Sequence, residues 1–242
     1  MTVLERNMRR MNAGRNYQKE LEKILEKICC QKNVVETDEK ISEAAQVPRL
    51  FLHSCCAPCS SYVLEYLRAF FKITVFYYNP NISMEEEYRK RVVEQKRLIA
   101  AYNDAIASEQ AQGYPIDIIE GDYEPEKFFR MAKGQEKCPE GGERCFACYE
   151  LRLRETAKQA LAGAYDYFTT TLTISPLKNA GKLNEIGEIL AEEYGITWLP
   201  SDFKKKNGYK RSIELSAEYD LYRQNYCGCV YSKAQREQEG AR

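Results

Sequence analysis

The chain has neither an excess of charge of one sign nor a long apolar segment. Its 242 residues include 36 basic and 36 acidic side chains, so no global electrostatic attraction to nucleic acid is expected. No run of about eighteen apolar residues occurs, and residues 1–10 are polar and basic, without the apolar stretch of a secretion signal. We therefore expect a soluble, cytoplasmic protein with no membrane partner, whose contacts with RNA, if any, come from local basic patches.

Internal repeats and a second globular domain are also absent, and a strand-helix alternation follows a polar N-terminal preface. This alternation predicts a single-domain α/β fold with an open, mostly parallel, Rossmann-like sheet and helices on both faces. We expect an N-terminal helical extension and linker over 1–48, the main domain over 49–232, and a polar tail over 233–242. Predicted strands lie near 49–54, 72–78, 116–120, 167–172 and 197–199, and predicted helices near 17–30, 60–71, 84–107, 126–133, 149–161, 184–194 and 212–226.

Cysteine, in contrast, is abundant, with ten residues grouped in clusters. A chain of this length, 44% of it hydrophobic, can bury a core without disulfide staples. In a reducing compartment, closely spaced cysteines are metal ligands or a catalytic dithiol more often than structural disulfides. The clusters therefore indicate thiolate chemistry. Cys29 and Cys30 form an outlying pair, and Cys138 precedes the second group. All three lie outside the motifs of the family resemblance described below and for that reason are expected to be dispensable.

The first main group follows the first predicted strand and opens a helix. It contains Cys55, Cys56 and Cys59. A helix N-terminus favours thiolates through its dipole and free backbone amides, so metal binding is encouraged here. Cys56 and Cys59 also have the spacing of a thioredoxin-type redox pair, although the adjacent Cys55 does not fit that simple role.

The second group, Cys145 and Cys148, is another pair separated by two residues. Two such pairs can supply four thiolates to one centre, which holds either structural zinc or an iron-sulfur cluster. On spacing alone we favour zinc, and the CxxxCxxC run of radical enzymes is absent.

The third group is Cys227-Gly228-Cys229, which the predicted C-terminal helical part carries. A disulfide across one glycine is strained and therefore labile. Spacing alone leaves two interpretations open, a redox-cycling dithiol and two further metal ligands.

The residues around the cysteines resemble the QueH family, the cobalamin-independent epoxyqueuosine reductases. The resemblance runs in order from about residue 50 to 232, and its closing string is the most specific part. The matching segments are Leu52 to Cys59, Tyr78 to Ile82, Glu87-Tyr88 with Arg91, Arg144-Cys145 with Cys148 and Arg152-Leu153, Thr170 to Leu172 with Ser175-Pro176, Asp202 to Lys204, and Leu221 to Cys229.

The resemblance implies a nucleotide-alpha-hydrolase-like fold, a [4Fe-4S] cluster, an adjacent mononuclear iron, and reduction of epoxyqueuosine to queuosine at the wobble position of a tRNA anticodon. Because of this resemblance, we expect the cysteines to bind iron rather than zinc. The implied roles are cluster ligation by Cys55, Cys56, Cys145 and Cys148, a redox-active disulfide between Cys227 and Cys229, and ligation of the separate iron by Cys59, which takes a position where some relatives carry aspartate.

The implied reaction removes one oxygen as water and takes up two electrons and two protons. We expect the iron to act as a Lewis acid toward the epoxide oxygen, the cluster to relay electrons, and the dithiol to replenish them from an unidentified donor.

Weaker candidates for contact with substrate or tRNA are Tyr88, Arg91 and Arg223, which are equally often packing residues. The best basic patch is the run Lys204, Lys205 and Lys206 with Lys210 and Arg211, and its phosphate contacts would make binding salt-sensitive. A second patch contains Arg6, Arg9, Arg10 and Arg15. His53, the only histidine, is expected to be a hydrogen-bonded core residue.

Two other classes of function stay open at this point. A thiol-disulfide oxidoreductase using Cys56 and Cys59 would be colourless and metal-free, whereas a zinc-stabilised RNA-binding module would hold zinc and have no turnover. An ATP-dependent tRNA-activating enzyme is disfavoured, because the first strand-helix turn carries cysteines where a glycine-rich phosphate loop is needed.

Overall fold

A computed structural model describes residues 14–36 and 47–240. Five parallel strands form one sheet in the order β3-β2-β1-β4-β5. Among the described residues, eight α-helices and one 3₁₀ turn accompany the sheet. The strands are β1 (Arg49–His53), β2 (Lys72–Tyr77), β3 (Asp117–Glu120), β4 (Tyr167–Thr170) and β5 (Thr197–Trp198), and the 3₁₀ turn is Thr171–Ile174. The helices are α1 (Tyr17–Glu36), α2 (Ala57–Leu67), α3 (Glu85–Ala107), α4 (Pro125–Ala132), α5 (Glu143–Ala162), α6 (Ala180–Tyr194), α7 (Gly208–Glu218) and α8 (Val230–Gly240).

The two faces of the sheet are covered by separate apolar layers. Leu50 and Leu52 of β1 join the layer built with α1, α2 and α3, whereas Phe51 between them joins the layer built with α5 and α6. Successive side chains of a strand point to opposite faces, so the continuous apolar run of β1 supplies both layers. The predicted α/β fold with a parallel sheet and helices on both faces is confirmed.

The strand order places a reversal of winding between β1 and β4. These neighbouring parallel strands pair with His53 opposite Thr170 at their carboxyl ends. In open α/β sheets, ligands bind in the crevice beyond the carboxyl ends at such a switch point. Cys55, just beyond β1, and Thr171, just beyond β4, lie at this edge.

The N-terminal helix is longer than the sequence predicts and is packed into the core. Leu21, Leu25 and Ile28 of α1 are buried in the same layer as Leu64 and Leu67 of α2. Helical spacing of these apolar residues explains why one face of α1 can pack while the other stays polar.

Helix α5 begins earlier than the predicted 149–161, directly after the loop that contains Gly141 and Gly142. Gly142 is its N-cap residue, and Gly141 has a φ of +85° that favours glycine. Cys145 and Cys148 therefore lie on the first turns of the helix rather than in the loop.

The predicted helix over 212–226 is wrong at both ends. Helix α7 ends at Glu218, because Asp220 is left-handed (φ +47°) and the amide of Leu221 donates to the carbonyl of Ser216. This is the Schellman arrangement that closes a helix. Cys227 and Cys229 consequently lie in an irregular segment before α8, and the predicted tail is helical through Gly240.

Candidate active site

The buried imidazole of His53 lies at the end of β1, at the base of the candidate site. Its Nε2 donates to the carbonyl of Tyr78 (3.1 Å), and its Nδ1 accepts from the hydroxyl of Thr170 (2.8 Å), because a carbonyl can only accept. Burial, together with the positive charge of Arg152, lowers the pKa of His53 to about 3. His53 is thus a neutral structural link between β1, β4 and the segment after β2, as expected for a hydrogen-bonded core histidine.

Three thiols lie close together directly after β1, where α2 begins. The sulfur atoms of Cys55, Cys56 and Cys59 all lie within 4.8 Å of one another, with 3.8 Å between Cys55 Sγ and Cys56 Sγ. Cys56 is the N-cap residue of α2, so the first turn of the helix brings Cys59 back beside it. We call these three residues the switch-point thiols.

Hydrogen bonds between the switch-point thiols give them unequal acidities. Thiols of Cys55 and Cys59 hydrogen-bond to Cys56 and hold its pKa well below the ordinary value. The hydrogen bond with Cys56 raises the pKa of Cys55, and hydrogen bonds with Cys55 and Cys56 raise the pKa of Cys59 well above its ordinary value. Cys56 is thus stabilised as a thiolate by the other two thiols. Once Cys55 and Cys59 also lose their protons, the three sulfurs can bind a metal cation.

The second pair lies on the first turns of α5. Cys145 Sγ accepts a hydrogen bond from the backbone amide of Gly141 (3.3 Å). Cys148 is buried, and burial raises the pKa of its thiol to about 12.

The Cys227-Gly228-Cys229 segment is held by two side-chain hydrogen bonds and by close packing at Gly228. The carbonyl of Cys227 accepts from Arg91 Nη1 (3.2 Å) and from Asn81 Nδ2 (3.4 Å). Gly228 has a φ of +114°, and a Cβ there would lie 2.8 Å from Ile82 Cγ1. Only glycine therefore fits between the two cysteines in this conformation.

The two cysteines of this segment have different surroundings. Cys227 Sγ lies 3.4 Å from the ammonium nitrogen of Lys178. Cys229 Sγ is buried beside Phe128 and accepts from the amide of Ser232 (3.4 Å), and burial raises its pKa. All ten cysteines of the chain are free thiols in the structure.

A narrow cavity connects the second and third groups. Its walls include Cys145, Cys148, Cys227 and Cys229, together with the charged side chain of Lys178. Tyr149, Arg152 and Asn81 also face it, each with one buried polar atom that has no hydrogen-bond partner in the described part of the chain: the Tyr149 hydroxyl, Arg152 Nη2 and Asn81 Oδ1. The structure thus brings four of the seven predicted cysteines to one cavity and the other three to the switch-point group.

Lys178 was not found by sequence reasoning. It follows the Ser175-Pro176 segment. The feature of the sequence that could have indicated a role in the site is its position after β4, the strand that neighbours β1 at the switch point. Its pKa is raised above the ordinary value despite desolvation by burial, because the sulfur of Cys227 and the phenol of Tyr149 favour the charged form.

Tyr88, Arg91 and Arg223 contact other parts of the chain. Tyr88 is fully buried and donates to the carbonyl of Gly121, and Arg91 is 2% exposed and pairs with Glu87. Arg223 donates from Nη1 to the Ser216 hydroxyl (2.9 Å). A role of Arg91 in the site would be exerted through the Cys227 carbonyl that it holds.

The predicted basic patches are partly neutralised. Lys204 pairs with Asp202, and Lys206 pairs with Glu22 of α1. Lys205 is exposed and, within residues 14–36 and 47–240, has no ion pair. In the second patch Arg15 binds Glu20 and Glu188, and Arg6, Arg9 and Arg10 lie outside the described residues.

In the part of the chain that the structure describes, no helix combines the length and the apolar character needed to cross a bilayer.

Comparison with known proteins identifies the family. The family model described as epoxyqueuosine reductase QueH matches residues 50–235. Proteins named epoxyqueuosine reductase QueH are 43% identical in Streptococcus pyogenes (82% of this chain, 76% of the relative) and 46% identical in Staphylococcus epidermidis (76% of each chain). The relative of that name from Thermotoga maritima is 32% identical over 79% of this chain and 94% of its own. The chain therefore belongs to the QueH family of epoxyqueuosine reductases and is an oxidoreductase, as its motifs predicted.

Proposed function

We propose that the protein reduces epoxyqueuosine to queuosine at the wobble position of a tRNA anticodon, in the cytoplasm. The observation that supports this most strongly is that, in a chain of this family, three thiols converge beyond the end of β1 and four further cysteines line a single cavity. The reaction breaks the two carbon-oxygen bonds of the epoxide and forms a carbon-carbon double bond. It consumes two electrons and two protons, and the oxygen leaves as water.

The donor set fits an iron-sulfur cluster. Cys55, Cys56, Cys145 and Cys148 supply only thiolates, the ligand type that such clusters take from proteins. Unpartnered Arg152 Nη2 and the amide that points at Cys145 Sγ are donors of the kind that stabilise cluster sulfurs. We propose these four cysteines as the ligands of a [4Fe-4S] cluster.

Cys59 is the third switch-point thiol and is proposed to hold the mononuclear iron next to the cluster. When bound, the cluster supplies single electrons and an open-sited iron supplies a Lewis acid. The chain's own part is to hold the sulfur ligands, to exclude water with the aromatic rings of Phe128 and Tyr149 in the cavity wall, and to orient the Cys227 segment.

We propose Cys227 and Cys229 as the electron reservoir. Their oxidation to a disulfide forms one sulfur-sulfur bond and releases two electrons and two protons, which equals what the epoxide consumes. Asn81, Arg91 and Lys178 hold Cys227 at the cavity, so that the dithiol is adjacent to the second cysteine pair. An external reductant, whose identity is open, must then reduce the disulfide.

Metal analysis of anaerobically purified protein tests the cofactor proposal. We expect a brown protein with about five irons and about four acid-labile sulfides per chain. Cys145→Ser should lose the cluster, whereas Cys29→Ser, which alters an exposed cysteine of α1, should not. A colourless protein that contains zinc would overturn the iron assignment in favour of a zinc-stabilised module.

A single-turnover experiment tests the reservoir. Cys227→Ser and Cys229→Ser should abolish repeated turnover with a dithiol donor but retain one turnover when the enzyme is chemically pre-reduced. If both cysteines are still required in the pre-reduced single turnover, a supply role is wrong.

A further inference from the structure

The guanidinium of Arg152 lies between the cysteine groups and is fully buried. Its Nε donates to the carbonyl of Cys148 (3.2 Å), and its Nη1 donates to Asn79 Oδ1 (3.4 Å). Its Nη2 is also buried and has no hydrogen-bond partner among the described residues. A guanidinium has five N–H donors in a rigid fork, so one edge of this fork is unused within that part of the chain.

The two hydrogen bonds of Arg152 connect the two predicted pairs of cluster ligands. Asn79, which accepts from Nη1, donates in turn to the carbonyl of Ser54 (2.8 Å), the residue before Cys55. On the other side, Nε holds the carbonyl of Cys148 itself. A chain of hydrogen bonds therefore runs from the backbone at Cys55 to the backbone at Cys148.

The charge of Arg152 has no carboxylate partner among residues 14–36 and 47–240. Arg152 lines the same cavity as Cys148 and Cys227, and its Nε holds the carbonyl of Cys148. A buried, unpaired arginine is strongly destabilising unless an anionic group compensates it. The cavity lined by these cysteines is where such a group can lie.

We propose that Arg152 is the positioning residue of the iron-sulfur site: it fixes the Cys55 turn against the Cys148 turn and directs its unused Nη2 edge and its positive charge at the bound cluster. This role rests on the proposed cluster. A cluster held by four thiolates is anionic, and hydrogen bonds and nearby charge set its reduction potential. Arg152 therefore favours the reduced, more negative form of the cluster.

The experiment compares Arg152→Met with Arg154→Met, a matched change on the outward side of the same helix, where Arg154 pairs with the exposed Glu150. Iron and sulfide content, the electron paramagnetic resonance spectrum and the midpoint potential are measured after anaerobic reconstitution. We expect wild-type values for R154M. For R152M we expect a several-fold loss of bound iron and sulfide, and a more negative potential for the fraction that retains a cluster.

Arg152→Lys separates charge from geometry. Lysine restores the charge but not the fork, so its cluster potential should lie closer to the wild-type value than that of R152M, while cluster content stays low. If metal-free R152M is unfolded by circular dichroism, Asn79→Ala replaces it, since this change keeps the guanidinium and removes the link to Ser54. N79A should lose cluster content.

The outcomes separate the two proposals. Wild-type protein that binds no iron-sulfur cluster overturns the proposed function, and the role of Arg152 with it. Wild-type protein with a cluster, and R152M or N79A with the same cluster content and the same potential, overturns the role of Arg152 alone.

Discussion

At the scale of single residues, similar cysteines acquire different chemistry from their neighbours. Hydrogen bonds with two adjacent thiols lower the pKa of Cys56, whereas burial raises the pKa of Cys148. Spacing alone could locate these pairs but favoured zinc, because spacing carries no information on the charges around them. Arg152 belonged to the recognised motif, yet its place between the cysteine groups depends on packing of α5 against the sheet and could not be read from the sequence.

His53 leads to a prediction for stability at low pH. Its pKa is about 3 in the folded state against an ordinary value of 6.5, so the unfolded chain binds its proton first as the pH falls. The contribution of neutral His53 is complete above pH 6.5 and is lost on acidification toward pH 3, by up to about 1.4 kcal/mol per pH unit.

Denaturant unfolding of metal-free protein across this pH range measures the effect. His53→Gln can still donate to the carbonyl of Tyr78 but does not titrate, so its free energy of unfolding should fall less steeply between pH 6.5 and 3. Parallel pH dependences of wild type and H53Q would contradict the assignment of a neutral, buried imidazole.

At the scale of secondary-structure elements, most of the sheet was predictable because its strands are short apolar runs bounded by turn residues. The C-terminal part was not, since Asp220 adopts a left-handed conformation that usually calls for glycine and thereby ends α7 early. The start of α5 was missed for a related reason: cysteines near a glycine pair were assigned to a loop, although they form the first turns of the helix. Both differences change the local structure around the cysteines. Cys145 and Cys148 lie on a helix rather than in a loop, and Cys227 and Cys229 lie in an irregular segment rather than after a helix.

Helix α1 should behave as part of the core rather than as an appendage. Leu21 is fully buried against the layer that contains α2. Leu21→Ala should therefore lower the free energy of unfolding by about 2–5 kcal/mol. Lys23→Ala, an exposed position on the same helix, is the control and should change it by less than about 0.5 kcal/mol. Equal, small effects of the two changes would show that α1 does not contribute to the core.

At the scale of the whole molecule, electrostatics give little guidance to an RNA partner. The formal charge is zero, and the most basic run is largely compensated by Asp202 and Glu22. The fold was predictable from strand-helix alternation, whereas the proposed substrate rests on the family motifs and on membership of the family. Charge patterning alone could not supply it.

The ion pairs of Lys204 and Lys206 predict that Lys204, Lys205 and Lys206 contribute unequally to tRNA binding. Lys205→Ala should reduce the slope of log K against log salt concentration by about 0.7 to 0.9, because only this lysine of the run is available to a phosphate without breaking an ion pair. Lys204→Ala and Lys206→Ala serve as matched controls and should change the slope less. Binding titrations at several salt concentrations measure it, and identical slopes for wild type and K205A would remove this run from the tRNA interface.

The most direct test of the account is nucleoside analysis of a tRNA that carries epoxyqueuosine. The tRNA is incubated anaerobically with the iron-loaded protein and a strong reductant, digested, and analysed by mass spectrometry. The account predicts that epoxyqueuosine is replaced by queuosine, a nucleoside lighter by one oxygen atom, and that Cys55→Ser protein leaves it unchanged. Unaltered epoxyqueuosine after incubation with fully iron-loaded, reduced wild-type protein would contradict it.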